Sequence, residues 1–150
     1  MSMKTKAIHV LLIDDDEDDR MFFEEVLESL DLVTDFNYAE NGSKAIEWLQ
    51  GLAGKLPDII FLDLNMPLMS GSECLEYIRG DYRYRDITII IYSTSYDSGS
   101  AAVLRGLGAD RYIRKPPTFE GLKRVISAAL GIFGRNGNRA NTDGEFLIHP

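Results

Sequence analysis

Several acidic, hydroxyl and amine side chains of this sequence each stand directly after, or close behind, a short apolar run. They are Asp14 and Asp15, Asp63, Ser93 and Lys115. Carboxylates, a hydroxyl and a lysine are groups that bind hard metal ions and contact phosphoryl oxygens. If the apolar runs are parallel strands, their carboxyl ends lie at one sheet edge, where open α/β sheets bind ligands. The pattern therefore predicts one polar crevice built from four strand ends.

Three carboxylates in one crevice need a counter-charge. Two like charges ~4 Å apart at an effective dielectric of ~20 repel by about 4 kcal/mol, so such a trio would raise its own pKa values or spread apart. A divalent cation removes the repulsion, and an oxygen-only ligand set with open positions suits Mg²⁺. We therefore expect Mg²⁺ near Asp14, Asp15 and Asp63, in contact with Asp15, and Mn²⁺ as an alternative ion.

Asp63 is the candidate nucleophile. It stands alone after its apolar run and is followed by Leu64-Asn65-Met66-Pro67, whose proline favours an abrupt exit from the strand. A carboxylate can attack a phosphoryl group while a metal ion and a lysine, here Lys115, neutralise the spread charge. Ser93 offers a hydroxyl that donates to a phosphoryl oxygen. The structural alternative is an aspartate that only caps the next turn.

The first two acids begin a longer acidic run, Asp14 to Asp19. Acids in the first turn of a helix are favourable by ~0.3 to 1 kcal/mol each through the helix macrodipole. We therefore interpret Asp16 to Asp19 as a helix start. A role in the site is predicted for Asp14 and Asp15, which lie nearest the strand end.

Hydrophobic periodicity supplies the elements that would carry these groups. Short apolar runs typical of strands buried on both faces alternate with stretches of helical spacing, strand then helix, five times. This alternation requires a parallel sheet covered by helices on both faces. We predict an α/β, flavodoxin-like (βα)5 three-layer sandwich whose five-stranded parallel sheet has the order 2-1-3-4-5.

Length and composition fit one domain. The 150 residues are 45% apolar, which is enough for one hydrophobic core. We predict a domain over residues 6–132, an N-terminal tail at residues 1–5 and a flexible C-terminal tail at residues 133–150, where glycine and asparagine are frequent. Whether Phe146 to Ile148 docks on this domain, on a partner or on nothing stays open.

Charge, cysteine content and hydropathy disfavour several functions. Sixteen basic against 24 acidic residues leave a formal charge of −8, which disfavours direct binding of nucleic acid. The single cysteine, Cys74, cannot form an internal disulfide, and this suits a reducing compartment. No apolar stretch reaches the ~18 residues of a membrane-spanning helix, and no signal peptide stands out. We expect a cytoplasmic protein that does not bind membranes.

The motifs resemble the receiver domain of bacterial two-component response regulators. The strongest match runs from Asp63-Leu64-Asn65-Met66-Pro67 to Leu68-Met69-Ser70-Gly71, and it is similar to that family's Asp-x-x-Met-Pro-x-Met-x-Gly signature around the phosphorylated aspartate. Three further matches are the acidic pair after Leu11 to Ile13, Tyr92-Ser93-Thr94, and Tyr112-Ile113-Arg114-Lys115-Pro116. The resemblance covers about Lys6 to Leu130.

The resemblance implies a role for each matching residue. Asp63 would accept a phosphoryl group from the phosphohistidine of a sensor histidine kinase or a phosphotransfer protein. Lys115 would contact the transferred group. Asp15, Asp63 and the backbone carbonyl of Asn65 would hold Mg²⁺, and Asp14 would act through a metal-bound water.

The resemblance also implies a conformational switch. Ser93 and Tyr112 would be the switch pair, and their movement would reshape the face formed by helix four, strand five and helix five. The Lys115–Pro116 bond would be cis. Some segments are also similar to single-domain regulators that partner bacterial phytochromes, so a homodimer through this face is an expectation by analogy.

Three functions are compatible with these residues. The first is a stand-alone signalling module with a protein target still to be identified, which is not an enzyme beyond slow self-phosphorylation and self-dephosphorylation. The second is a Mg²⁺-dependent phosphohydrolase with an aspartyl-phosphate intermediate, although such enzymes commonly carry a second aspartate where this chain has Asn65. The third is a non-phosphorylated docking module, which the complete set of acids, Ser93 and Lys115 disfavours.

Overall fold

The computed structural model describes residues 7–32, 34–136 and 145–150. Helices and strands alternate through these residues, with one short 3₁₀ turn at Tyr82–Tyr84. In chain order they are β1 (Ile8–Ile13), α1 (Glu17–Ser29), β2 (Thr34–Ala39), α2 (Gly42–Gly51), β3 (Ile59–Leu62), α3 (Gly71–Gly80), β4 (Thr88–Ser93), α4 (Ser98–Gly106), β5 (Arg111–Arg114), α5 (Phe119–Asn136) and β6 (Leu147–Ile148).

The strands form one parallel sheet in the order β2-β1-β3-β4-β5-β6. The flavodoxin-like fold and the predicted order of the first five strands are confirmed. The order reverses between β1 and β3, so these two strands are neighbours although a strand and two helices separate them in sequence. In open α/β sheets this reversal is where a crevice opens at the carboxyl edge.

Alternate residues of the central strands enter two separate cores. Leu11 and Ile13 pack with α2, α3 and α4 on one side of the sheet, whereas Val10 and Leu12 pack with α1 and α5 on the other. Burial on both faces explains why the strands are continuous apolar runs. Each helix buries one apolar stripe, and none in the described part of the chain combines the length and apolarity needed to cross a membrane.

Side-chain caps start four helices soon after the carboxyl ends of strands. Asp16, Asn41, Ser70 and Asp97 each accept a hydrogen bond from a backbone N–H in the first turn of α1, α2, α3 and α4. Each bond satisfies one of the backbone donors that a helix start leaves without an intrahelical acceptor. The caps therefore fix short connections at the edge where the polar residues were predicted.

The C-terminal region differs from the predicted flexible tail at residues 133–150. Helix α5 continues to Asn136, and Phe133 is buried. Strand β6 pairs parallel with β5, with Tyr112 opposite Leu147 and Ile113 opposite Ile148. Composition reports glycine and asparagine content, but it does not report that the outer edge of β5 offers backbone partners to a short apolar segment. Residues 1–5 and 137–144 of the predicted tails lie outside the described residues.

Candidate functional site

The predicted crevice forms where β1 and β3 end side by side. Ile13 pairs with Leu62, so the residues that follow them, Asp14 and Asp63, are neighbours. The Asp63 backbone N–H donates to the Ile13 carbonyl at 2.9 Å. One carboxylate oxygen from each of Asp14, Asp15 and Asp63 lies within 4.8 Å of the others. Strand register therefore gathers three acids from two segments of the chain.

Asp14 is the buried anchor of the cluster. Its side chain is fully buried, its Oδ1 accepts the Asp16 N–H at 3.0 Å, and its Oδ2 accepts Lys115 Nζ at 2.8 Å. Its backbone N–H donates to the Ala39 carbonyl at 3.1 Å, and its own carbonyl accepts a guanidinium N–H of Arg20 at 2.8 Å. With partners on both backbone and side chain, Asp14 has little freedom to move.

Lys115 lies between three acids, namely Asp14 after β1, Asp19 in α1 and Asp63 after β3. Its Nζ donates to Asp14 Oδ2 and to Asp19 Oδ2, both at 2.8 Å, and lies 3.9 Å from Asp63 Oδ2. The ammonium also lies 4.9 Å from the centre of the Tyr92 ring, within the range of a cation–π contact. The side chain is only 8% exposed, so these contacts replace most of its hydration.

Burial and mutual repulsion set the protonation of the cluster. The pKa of Asp63 is raised to about 7, mainly by burial; the positive charge of Lys115 acts against this rise, and the negative charges of Asp14 and Asp15 add to it. Burial likewise raises the pKa of Asp14, against its hydrogen bond with Lys115. Burial alone would lower the pKa of Lys115, but the hydrogen bonds to Asp14 and Asp19 outweigh it and raise the pKa.

The donor set fits the predicted Mg²⁺. Carboxylate oxygens are the donors that this hard ion prefers, and a few carboxylates with open positions suit its retained waters. Asp15 is exposed, whereas Asp14 and Asp63 are buried, so the cluster opens to solvent on one side. Asn65 lies in the exposed loop two residues after Asp63. Coordination by its carbonyl stays a prediction.

The loop between β3 and α3 holds Asp63 in place. The Leu64 N–H donates to Asp63 Oδ1 at 2.9 Å, and the Gly71 N–H donates to the Leu64 carbonyl at 2.9 Å. A Cβ on Gly71 would lie 2.2 Å from the Asp63 carbonyl oxygen, so only glycine fits there. Leu68 adopts a φ of 69°, a conformation that non-glycine residues rarely take.

Ser93 lies buried at the end of β4, and Tyr112 lies buried within the neighbouring β5. The Lys115 backbone N–H donates to the Ser93 carbonyl at 2.7 Å, which ties the end of β5 to β4. The Tyr112 hydroxyl donates to the Ser95 carbonyl at 2.5 Å, and its ring packs edge-on against Tyr96. Burial raises the pKa of Tyr112, and a hydrogen bond with the Ser93 side chain acts in the opposite direction. The Tyr112 side chain therefore points into the protein and not towards solvent.

Two details differ from the sequence-based expectations. The Lys115–Pro116 bond is trans instead of cis; trans is the form that bonds before proline favour by about 0.5 to 1 kcal/mol. Asp19, interpreted only as part of a helix start, is indeed in the first turn of α1, but it also contacts Lys115. The sequence did contain a signal for this contact. Asp19 lies three residues after the capping residue Asp16, and helical side chains point back towards the N-terminus of their helix, so the Asp19 side chain faces the strand end.

Comparisons with known proteins agree with this geometry. Residues 10–127 match the response regulator receiver domain family. The chemotaxis protein CheY1 of Helicobacter pylori is 33% identical over 124 residues, which cover 81% of this chain and 96% of CheY1.

Solved structures show the same fold. The phosphorylated cyanobacterial phytochrome response regulator RcpA superposes with a TM-score of 0.75 at 24% identity, covering 85% of this chain and 94% of RcpA. The Mn²⁺-bound response regulator Rcp1 superposes with a TM-score of 0.71 at 24% identity, covering 84% of this chain and 91% of Rcp1. The chain therefore belongs to the response regulator receiver domain family, whose members are signalling domains that accept a phosphoryl group on an aspartate.

Proposed function

We propose that Asp63 is the aspartate that accepts the phosphoryl group, in a Mg²⁺-dependent reaction, from a sensor histidine kinase or a phosphotransfer protein. One observation carries this proposal. Asp63 lies beside two further carboxylates, and its Oδ2 is 3.9 Å from the ammonium of Lys115. The cytoplasm is the proposed location, because the single cysteine suits a reducing compartment.

The transfer uses the carboxylate as a nucleophile. An Asp63 oxygen attacks phosphorus, and the new O–P bond forms as the bond from phosphorus to the donor histidine nitrogen breaks. Asp15, Asp63 and the Asn65 carbonyl would hold Mg²⁺, with Asp14 acting through a water. The bound ion supplies positive charge that offsets the phosphoryl oxygens. Lys115 supplies a second positive charge from the chain itself.

The output follows from the contacts of Ser93 and Tyr112. When the Ser93 hydroxyl turns towards the phosphoryl group, it leaves the Tyr112 hydroxyl. Tyr112 packs against Tyr96, which lies in the loop before α4, so the change reaches the face formed by α4, β5 and α5. We assign to this face the contact with a downstream protein or with a second copy of the chain.

The test is labelling with acetyl phosphate and Mg²⁺, followed by intact mass spectrometry. The wild type should gain one phosphoryl group, and Asp63→Asn should gain none. Asp86→Asn is the matched control, because Asp86 is an exposed aspartate that precedes β4 and should leave labelling unchanged. When Mg²⁺ is chelated before acetyl phosphate is added, the wild type should gain no label. Label that persists on Asp63→Asn would contradict the assignment.

The same assay separates the other candidate functions. Steady turnover of a small phosphate ester would favour the phosphohydrolase. Absence of label with every donor, despite bound Mg²⁺, would favour the docking module. Gel filtration with and without beryllofluoride, a phosphoryl mimic, tests whether phosphorylation drives homodimer formation.

A further inference from the structure

The ammonium of Lys115 donates hydrogen bonds to two acids that differ greatly in exposure to solvent. The Asp14 side chain is fully buried, whereas the Asp19 side chain, on the first turn of α1, is 37% exposed. Both accept a hydrogen bond from Lys115 Nζ at 2.8 Å, but Asp63 Oδ2 lies 3.9 Å away, beyond hydrogen-bond distance. The lysine is therefore hydrogen-bonded to Asp14, which follows β1, and to Asp19 of α1, but not to the proposed acceptor.

A phosphoryl group on Asp63 would compete for this lysine. It brings a charge of about −1.5 to −2 and three strong acceptor oxygens close to Nζ. Lys115 Nζ lies 3.9 Å from Asp63 Oδ2 and already donates to Asp14 and Asp19, so the added negative charge draws the ammonium away from its present partners and towards Asp63. Such a shift lengthens the bond to Asp14, to Asp19 or to both.

Asp19 is the partner that gives way at lower cost. Withdrawing the lysine from Asp14 would leave a fully buried carboxylate without its counter-charge, which is strongly unfavourable. Asp19 is partly hydrated already, and the N-terminal end of α1 stabilises its charge without Lys115. Separation of Lys115 from Asp19 is therefore the step that frees the ammonium.

We propose that Asp19 is a positioning residue that retains Lys115 in the unphosphorylated protein and thereby slows phosphorylation of Asp63. This inference rests on the proposed function. Asp19 acts through Lys115 and does not touch the reacting atoms. Its effect is asymmetric, because the contact exists before transfer and is broken both in the transition state and in the phosphorylated protein. Loss of Asp19 therefore speeds phosphorylation and leaves the lifetime of the phosphoryl group unchanged.

The experiment measures both rates by intact mass on the full chain, with acetyl phosphate at saturating Mg²⁺. Asp19→Asn should be phosphorylated about fivefold faster than the wild type, the factor expected for loss of one partly exposed ion pair. Asp18→Asn is the matched control, since it removes an exposed acid from the same helical turn. It should stay within about twofold of the wild type. Asp19→Glu retains the carboxylate and should restore a rate near that of the wild type.

Decay of the label after removal of the donor supplies the readout that a purely structural role would not give. The lifetime should be the same in Asp19→Asn and the wild type within about twofold. Equal phosphorylation rates in Asp19→Asn and Asp18→Asn would overturn the proposal, as would a lifetime that changes by the same factor as the phosphorylation rate. If Asp19→Asn does not fold by circular dichroism, Asp19→Ala replaces it, and failure of both would show a structural role and overturn the proposal.

Failure of this inference is distinguishable from failure of the proposed function. If the wild type takes no label, or Asp63→Asn takes label, the assignment of Asp63 fails. If both behave as expected and Asp19→Asn matches Asp18→Asn, only the role of Asp19 fails.

Discussion

At the scale of single residues, burial and charge decide the chemistry of the carboxylate cluster. Asp63 is 6% exposed, and two further acids lie within 4.8 Å. Burial and the neighbouring carboxylates therefore disfavour the ionised form of Asp63, and its pKa is raised to about 7. The same surroundings favour the proposed divalent cation, whose charge would offset the repulsion between the carboxylates.

This electrostatic cost predicts a pH-dependent gain in stability for Asp63→Asn. The folded pKa of Asp63 is about 7 against 3.8 for the unfolded carboxyl, so the folded state holds a proton that the unfolded state loses. The contribution of Asp63 to stability is therefore full below pH 3.8 and is lost as pH rises through 7. Without metal, Asp63→Asn should exceed the wild type in unfolding free energy by about 1 to 3 kcal/mol at pH 8.

Urea unfolding at several pH values checks this prediction. The difference between Asp63→Asn and the wild type should shrink as pH falls towards 4, and saturating Mg²⁺ should shrink it at pH 8. Asp86→Asn, with its exposed side chain, should show no such trend. A wild type as stable as Asp63→Asn at pH 8 without metal would contradict the raised pKa.

At the scale of elements, the position of Asp63 depends on how closely α3 approaches the end of β3. The first residue of α3, Gly71, lies against the backbone of Asp63 and Leu64. A capping box of Ser70 and Glu73 starts the helix at this point. The glycine of the motif is therefore explained by packing between two backbones.

This close approach predicts that Gly71→Ala destabilises the protein and disturbs the site. The added methyl would lie 2.2 Å from the Asp63 carbonyl oxygen, so the strand end has to move. We expect a loss of about 1 to 3 kcal/mol in unfolding free energy and weaker Mg²⁺ binding, measured by urea unfolding and calorimetry. Gly80→Ala, at the other end of α3 with open space around it, should be neutral or stabilising. Equal effects of the two substitutions would refute this account.

At the scale of the whole molecule, the C-terminal segment completes the sheet next to the proposed switch tyrosine. The Tyr112 backbone N–H donates to the Phe146 carbonyl at 2.9 Å, and the two rings pack with centres 6.3 Å apart. Arg105 of α4 lies over the Phe146 ring. Residues 146–148 therefore contact both β5 and α4.

These contacts predict that removal of residues 145–150 destabilises the protein. The truncation loses strand hydrogen bonds and the buried side chain of Ile148, and we expect a loss of about 1 to 3 kcal/mol in unfolding free energy. A chain that ends at Ile148 is the control, because it lacks only His149 and Pro150, which are exposed. Urea unfolding of both truncations checks the prediction. If the two are equally stable, β6 contributes nothing to the fold.

The order of the first five strands and the residues that gather at their carboxyl ends could be predicted without the structure. Burial on both faces makes each central strand a continuous apolar run, so its first polar residue marks the sheet edge, as Asp14 and Asp63 do. Register at the point where strand order reverses then brings these residues together. Both inferences need only local periodicity and general rules of topology, which is why they held.

Other contacts are not encoded in local patterns and become visible only in the folded chain. Asp19 and Lys115 are 96 residues apart, and their hydrogen bond depends on the exact placement of α1 over the sheet. Strand β6 spans only Leu147–Ile148, too short to stand out by alternation, and it forms because the edge of β5 lies within reach. Periodicity reports which face of an element is buried, whereas pairings of this kind follow from the distance between elements after they pack.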